Sequence, residues 1–216
     1  FGVENMLGTN PLTFAMPSDE PFPFFLDCAT SVSQRGKIEV YAREGKALPP
    51  GWVIDENGRT RTDTLPILDD LIAGKAALTP LGGLGEETAG YKGYGYATVV
   101  EILSAALQHG TFLKGLLGFS PEGRKQPYHL GHFFIAIDIA SFIEPEDFKR
   151  TTGEILRQLR QSRKAPGCER IYTAGEKEYL TSLERERHGV PVNEALQKVP
   201  KTLQKQYHLD QYHFAF

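Results

Sequence analysis

The run Gly90-Tyr91-Lys92-Gly93-Tyr94-Gly95 leads directly into a segment, 96–109, whose apolar residues recur at helical spacing. This junction constrains the fold more than any other part of the chain. Tyr96, Val99, Val100, Leu103, Ala106 and Leu107 follow the i, i+3, i+4, i+7 pattern of a helix with one buried stripe. The glycines free the backbone to take positive φ and to approach a ligand, while Lys92 sets one compact cation among neutral residues. A glycine loop at a helix N-terminus, where unpaired N–H groups and the positive dipole end add to the lysine, is an anion site. The same residues also describe a glycine-rich turn that feeds a core helix and leaves Lys92 solvated. Neither G-x-G-x-x-G nor the Walker pattern is satisfied, so the residues leave both readings open.

A chain of 216 residues has room for one large domain, or for one domain with an appendage. At 40% hydrophobic and 24% charged residues its composition is that of a globular protein, and a net charge of -3 gives no general attraction to nucleic acid or anionic membranes. No apolar run is long enough to span a bilayer, which predicts a soluble protein. Cys28 and Cys168 are too few for a disulfide framework and lack metal-ligand spacing, so free thiols and a cytoplasmic location are expected. The opening Phe1-Gly2-Val3, without methionine or targeting signal, suggests a piece of a longer polypeptide.

Gly8-Thr9-Asn10-Pro11 reads as a turn, followed by strands over 12–16 and 22–26. The second strand stops at Asp27-Cys28-Ala29-Thr30-Ser31, where Thr30 or Ser31 could cap a helix over 32–43 that ends near Gly45. Asp27 then lies at a strand end ahead of a helix, where open α/β layers bind ligands, or it ties down a loop through backbone N–H groups. Residues 46–90 read mostly as loop, with a short helix over 66–73 that puts Leu68, Leu71 and Ile72 on one side, and with Trp52 as an anchor for a site or interface or, the commoner role for tryptophan, as a buried packing residue. Turn signals continue through Pro121-Glu122-Gly123. Phe133-Phe134-Ile135-Ala136-Ile137-Asp138-Ile139 is a nearly continuous apolar run, predicting a strand buried on both faces.

His129 and His132 lack a nearby carboxylate or cysteine, and no metal is expected. A helix should begin at Glu144-Pro145-Glu146-Asp147, bury Phe148, Ile155, Leu156 and Leu159, and end in a solvated basic cluster with Arg160 and Arg163. A short strand at Ile171-Tyr172, a helix over 177–188, an Asn193-capped helix bent or broken at Pro200, and an aromatic tail complete the chain. The order of elements predicts α/β or α+β with a mixed sheet.

Gly8-Thr9-Asn10-Pro11, Leu26-Asp27-Cys28-Ala29-Thr30-Ser31, Gly36-Lys37-Ile38, Pro50-Gly51-Trp52, Leu81-Gly82-Gly83, Tyr91-Lys92-Gly93-Tyr94-Gly95 and Gly131-His132-Phe133-Phe134-Ile135-Ala136-Ile137-Asp138 occur in this order along nearly the whole chain. Together they resemble the second type of malate/L-lactate dehydrogenase, the group that also holds sulfolactate and ureidoglycolate dehydrogenases. The resemblance implies a non-Rossmann α/β (α+β) fold like that of sulfolactate dehydrogenase, with a mixed sheet flanked by helices. It further implies an NAD(P)-dependent oxidoreductase acting on a 2-oxo or 2-hydroxy acid, and a homodimer.

By the same resemblance Asp27, Cys28, Ala29 and Thr30 line the cofactor cleft, Tyr91 and Lys92 meet the ribose and phosphates of NAD or NADP, and Gly175, Glu176 and Lys177 close the site. Residues 1–165 would form the nucleotide-binding domain and 166–216 a C-terminal segment packed on a neighbouring domain or subunit. Ala174 stands where such proteins commonly have proline. Their proton-transferring histidine and substrate arginine precede the Gly-Thr-Asn-Pro turn, outside these residues, which leaves His129 and His132 as fallback acids. The rival is a non-catalytic nucleotide-binding or oligomerisation module.

Overall fold

The computed structural model describes residues 2–120 and 122–216; Phe1 and Pro121, the latter in the predicted turn at 121–123, lie outside the described residues. Strand β1 (Leu12–Met16) pairs antiparallel with β2 (Phe24–Cys28), Thr13 opposite Asp27 and Met16 opposite Phe24. The second strand starts two residues later than predicted because Pro21 and Pro23 lack the N–H that a ladder needs. Asp27 consequently sits inside the strand, not beyond its end, and accepts a 2.8 Å hydrogen bond from the Thr13 hydroxyl.

Helix α1 (Arg35–Arg43) is shorter than expected. Its predicted first turn stays extended because Val32 N–H donates to the Thr79 carbonyl and Ser31 bridges Pro80. Neither Thr30 nor Ser31 caps it: the Thr30 hydroxyl donates to the Thr9 and Asn10 carbonyls, and that of Ser31 to the Ser33 carbonyl.

The region predicted to be loop holds a three-stranded antiparallel sheet in the order β4 (Thr60–Arg61), β3 (Val53–Asp55), β5 (Ala76–Leu78), with α2 (Thr64–Ala73) between β4 and β5 in sequence. Ile38, Leu48, Val53, Ile67 and Ala76 form a buried core, and Leu68, Leu71, Tyr41 and Trp52 pack on it. Trp52 meets Tyr41 edge-on at 5.4 Å and packs on this core, the packing alternative of the two, whereas Ile72 faces solvent. Among the described residues the sheets are two small antiparallel units, not one mixed sheet.

Helix α3 (Gly90–Ala105) contains the glycine run; it does not follow it. Its buried positions are Gly90, Gly93, Ala97 and Ala105, while Tyr96, Val99 and Leu107 of the predicted stripe are exposed. Small residues face inward because the backbone of 81–85 crosses here: a methyl at Gly93 would overlap the Leu81 backbone, and one at Gly90 the Gly83 carbonyl.

The predicted strand over 133–139 is not paired, and most of its apolar side chains are exposed. Helix α4 (Pro145–Gln161) begins as expected with Glu146 and Asp147 in its first turn; it buries Leu156 but leaves Ile155 and Leu159 exposed. Of its basic end, Arg160 is drawn into a pair with Glu20 at 2.7 Å, beside Arg157 with Asp19 and Glu20, whereas Arg163 and Lys164 are exposed as expected. No strand forms at Ile171-Tyr172; the chain turns there into α5 (Glu176–His188). Helix α6 (Glu194–Gln206) is capped by Asn193, whose side chain accepts from Leu196 N–H, and it continues through Pro200. In the tail Phe214 stacks on Phe216 at 5.5 Å. Among the described residues no helix is long and apolar enough to cross a membrane.

Candidate active site

A cleft of about 1340 Å³ opens between residues 2–8, the segment leaving β5, and one face of α3. Three backbone ties hold its walls together. Thr30 N–H donates to the Thr9 carbonyl at 2.9 Å, Leu81 N–H to the Thr30 carbonyl at 2.8 Å, and Gly93 packs against Leu81. The exit of β2 is thereby locked to the N-terminal half of α3, and Thr30 and Tyr91, far apart in sequence, reach the same cleft.

Asn10 makes a fourth tie. Its amide donates to the Ala97 carbonyl and to the Glu101 carboxylate, both at 2.9 Å, and the other Glu101 oxygen accepts Leu113 N–H at 2.7 Å. This carboxylate organises three segments around the cleft. Sequence reasoning missed Glu101, because its polar contacts come from loops 91 and 12 residues away in the chain.

The lining is mostly apolar, with Tyr91, Tyr94 and Phe112 among its aromatic members. Its charged lining residues among those described are Glu4, Glu86 and Glu101; no lysine or arginine is present. Lys92 lies one residue from the lining Tyr91, exposed at the rim, with its ammonium 5.9 Å from the Tyr91 ring. It has no ion-pair partner among the described residues. Two N–H groups at this helix start are already used: Gly90 donates to the Gly85 carbonyl and Lys92 to the Ala89 carbonyl. A phosphate at this end would meet the helix dipole and one cation, with fewer free donors than a bare N-terminus offers.

Asp27, Cys28 and Ala29 do not line the cleft. Asp27 is held by Thr13, and the Cys28 thiol lies 3.9 Å from the Leu12 carbonyl.

Gly175, Glu176 and Lys177 form a separate cluster beside the start of β2. Gly175 takes φ 89° and passes so close that a Cβ would lie 2.7 Å from the Pro23 carbonyl, while Phe25 N–H donates to the Ala174 carbonyl at 3.3 Å. The Glu176 carboxylate is 1% exposed; it accepts from Thr173 N–H and from Arg170, with Arg160 at 3.9 Å. Burial alone would raise its pKa, but the Thr173 N–H and the two guanidiniums hold it below the ordinary glutamate value. Glu176 therefore anchors the start of α5 to the segment before it. Lys177 is exposed, its ammonium 4.9 Å from the Tyr172 ring. Among the described residues no group of three or more His, Cys, Asp or Glu could hold a metal.

Malate dehydrogenase of Pyrococcus horikoshii is 42% identical over 191 residues, covering 88% of this chain and 50% of that protein. L-sulfolactate dehydrogenase of Methanocaldococcus jannaschii is 36% identical over 186 residues, 85% of this chain and 48% of that protein. The crystal structure of malate dehydrogenase from Entamoeba histolytica superposes with a TM-score of 0.91 at 40% identity, covering 100% of this chain and 58% of that one. The chain thus spans about half the length of the curated relatives it matches. The profile of the malate/L-lactate dehydrogenases matches residues 1–199, and this chain belongs to that family.

Proposed function

We propose that the chain forms the cofactor-binding part of a nicotinamide-dependent oxidoreductase that interconverts a 2-oxo acid and its 2-hydroxy acid. One observation carries this reading: the residues that resemble the cofactor site of this family include Thr30 and Tyr91, which line one large cleft beside Lys92, a cation with no ion-pair partner among the described residues.

The donor set fits NAD or NADP. The volume exceeds that of a typical small-molecule pocket, as an extended dinucleotide requires. Tyr91 and Tyr94 offer faces to the apolar rings, and Lys92 with the α3 dipole faces the pyrophosphate. Asp27, Cys28 and Ala29 fix the β2 exit from which Thr30 reaches the cleft. Glu176, with Gly175, sets the position of Lys177 at the neighbouring edge. The bound nicotinamide supplies the hydride. The chain's own residues bind and orient it, and the apolar walls restrict water. No acid or carboxylate-holding cation is assigned within these residues; the resemblance puts both in a segment ahead of the Gly8-Thr9-Asn10-Pro11 turn. A homodimer is part of the proposal, with the aromatic tail as a contact surface.

Fluorescence titration with NADH and NADPH tests the reading, together with turnover of a panel of 2-oxo acids by a polypeptide extended to the relatives' length. Saturable binding and turnover support it. Binding without turnover of any 2-oxo acid supports a non-catalytic nucleotide module instead, and absence of binding by both polypeptides overturns the cofactor assignment.

A further inference from the structure

The charge of the cleft wall is one-sided. Among its described lining residues three are carboxylates, Glu4, Glu86 and Glu101, and none is lysine or arginine. Two of the three are engaged within the chain. Glu4 pairs with Lys114 at 2.9 Å, and the Glu101 oxygens accept from the Asn10 amide at 2.9 Å and from Leu113 N–H at 2.7 Å. The Glu86 carboxylate has neither a hydrogen-bond nor an ion-pair partner among the described residues. Its main chain holds it beside the start of α3: Ala89 N–H donates to the Glu86 carbonyl at 2.9 Å and Gly90 N–H to the Gly85 carbonyl at 3.1 Å. The turn over 85–90 thus sets an exposed, unpaired carboxylate on the cleft wall at the end of α3 where Lys92 stands. Glu87, next in sequence and of the same charge, does not line the cleft.

We infer, resting on the cofactor site proposed above, that Glu86 selects NAD over NADP: its carboxylate accepts hydrogen bonds from the free hydroxyls of the adenosine ribose and repels the phosphate that replaces the 2′-hydroxyl in NADP. The two cofactors differ only at that position. A phosphate monoester there carries a charge of about −1.5 to −2 near neutral pH and calls for cationic partners. A hydroxyl there can donate to a carboxylate, which is why an acidic side chain suits the free ribose and an arginine suits the phosphate. The adenosine ribose is bonded directly to the pyrophosphate, so a group at the start of α3 is within its reach when Lys92 faces the phosphates. With Lys92 so engaged, no cation remains among the described lining residues to meet a second phosphate. Asp27 does not compete for the ribose, since it lies outside the cleft and accepts from Thr13.

The test titrates NADH and NADPH against the parent, Glu86→Gln, Glu86→Arg and Glu87→Gln, each in the 216-residue chain and in a polypeptide extended to the relatives' length. Glu86 is exposed and unpaired among the described residues, so its replacement leaves the fold intact. The parent should bind NADH at least about 10-fold more tightly than NADPH. Added salt should narrow that gap, because it screens the repulsion. Glu86→Gln keeps the shape and removes the charge, and should lower the NADH-to-NADPH preference by about 10-fold. Glu86→Arg should reverse the preference. Glu87→Gln removes the same charge from the same turn but off the cleft, and should leave the preference within about two-fold of the parent's. Equal binding of the two nucleotides by the parent, or tighter binding of NADPH, would overturn the inference and leave the cofactor site standing. So would a preference for NADH that both glutamine variants change alike, or that neither changes. Binding of neither nucleotide by either polypeptide would overturn the cofactor site itself, and the role of Glu86 with it.

Discussion

Gly93 lies so close to Leu81 that a methyl group in its place would overlap both the N and the carbonyl of that residue. The glycine is required by a backbone crossing, not by a turn. Two turns of α3 therefore carry a contradiction that can be measured. Gly93→Ala should destabilise the protein by about 2–3 kcal/mol as the crossing is forced apart, despite alanine's better helix propensity. Gly95→Ala, on the same helix with open space around it, should stabilise by about 0.5–1 kcal/mol. Urea unfolding of both variants checks this; equal effects would refute the close crossing.

What the sequence disclosed follows the range of the forces involved. Helices α4, α5 and α6 were legible because their caps and terminators are local: Pro145 with Glu146 and Asp147, Gly189, and Asn193. The sheet of β3, β4 and β5 was not, because strands of two or three residues show no period. The inward face of α3 was misread for a different reason. Its burial is set by a crossing loop that demands small side chains, so the larger apolar residues point away. Of the residues lining the cleft, Thr30 and Tyr91 were singled out through motif resemblance, whereas Glu101 depends on two loops arriving from either side in the sequence.

Asn10 is the only link between the first turn of the chain and the Glu101 carboxylate among the described hydrogen bonds. Asn10→Asp exchanges a donor for a second carboxylate against Glu101, leaving repulsion and removing the side-chain bond to the Ala97 carbonyl. A loss of about 2–3 kcal/mol is expected at neutral pH, and of about 1–2 kcal/mol for Asn10→Ala. Adding Glu101→Gln to Asn10→Asp should recover part of the loss. A double-mutant cycle measures that recovery, and strict additivity would show that the two side chains are not coupled.

The Glu176 cluster predicts how stability depends on acid. Glu176 has a lower pKa folded than its ordinary value of 4.5, so the unfolded chain takes up its proton more readily as pH falls. Its contribution is fully present above that ordinary value and is lost as pH falls through the lower folded value. Glu176→Gln should cost about 1–3 kcal/mol at neutral pH. The difference from the parent should shrink below roughly pH 4. Denaturant midpoints across that range provide the measurement; a gap independent of pH would mean that the amide fails for reasons of shape, not charge.

Lys92 offers the sharpest separation between a phosphate contact and a surface lysine. It is exposed, it has no ion-pair partner among the described residues, and it is not part of a buried cluster, so replacing it leaves the fold intact. Lys92→Ala should weaken NADH and NADPH by about 1.5–3 kcal/mol, the cost of losing one charged hydrogen bond. It should also flatten the salt dependence of binding, because one charge no longer contributes and screening has less to act on. Lys92→Arg keeps the charge at the rim and should retain most of the affinity. Titrations of the three proteins at two ionic strengths decide the matter. If alanine and arginine variants both bind as the parent does, the cation at the start of α3 does not meet the cofactor, and the phosphates must be held elsewhere.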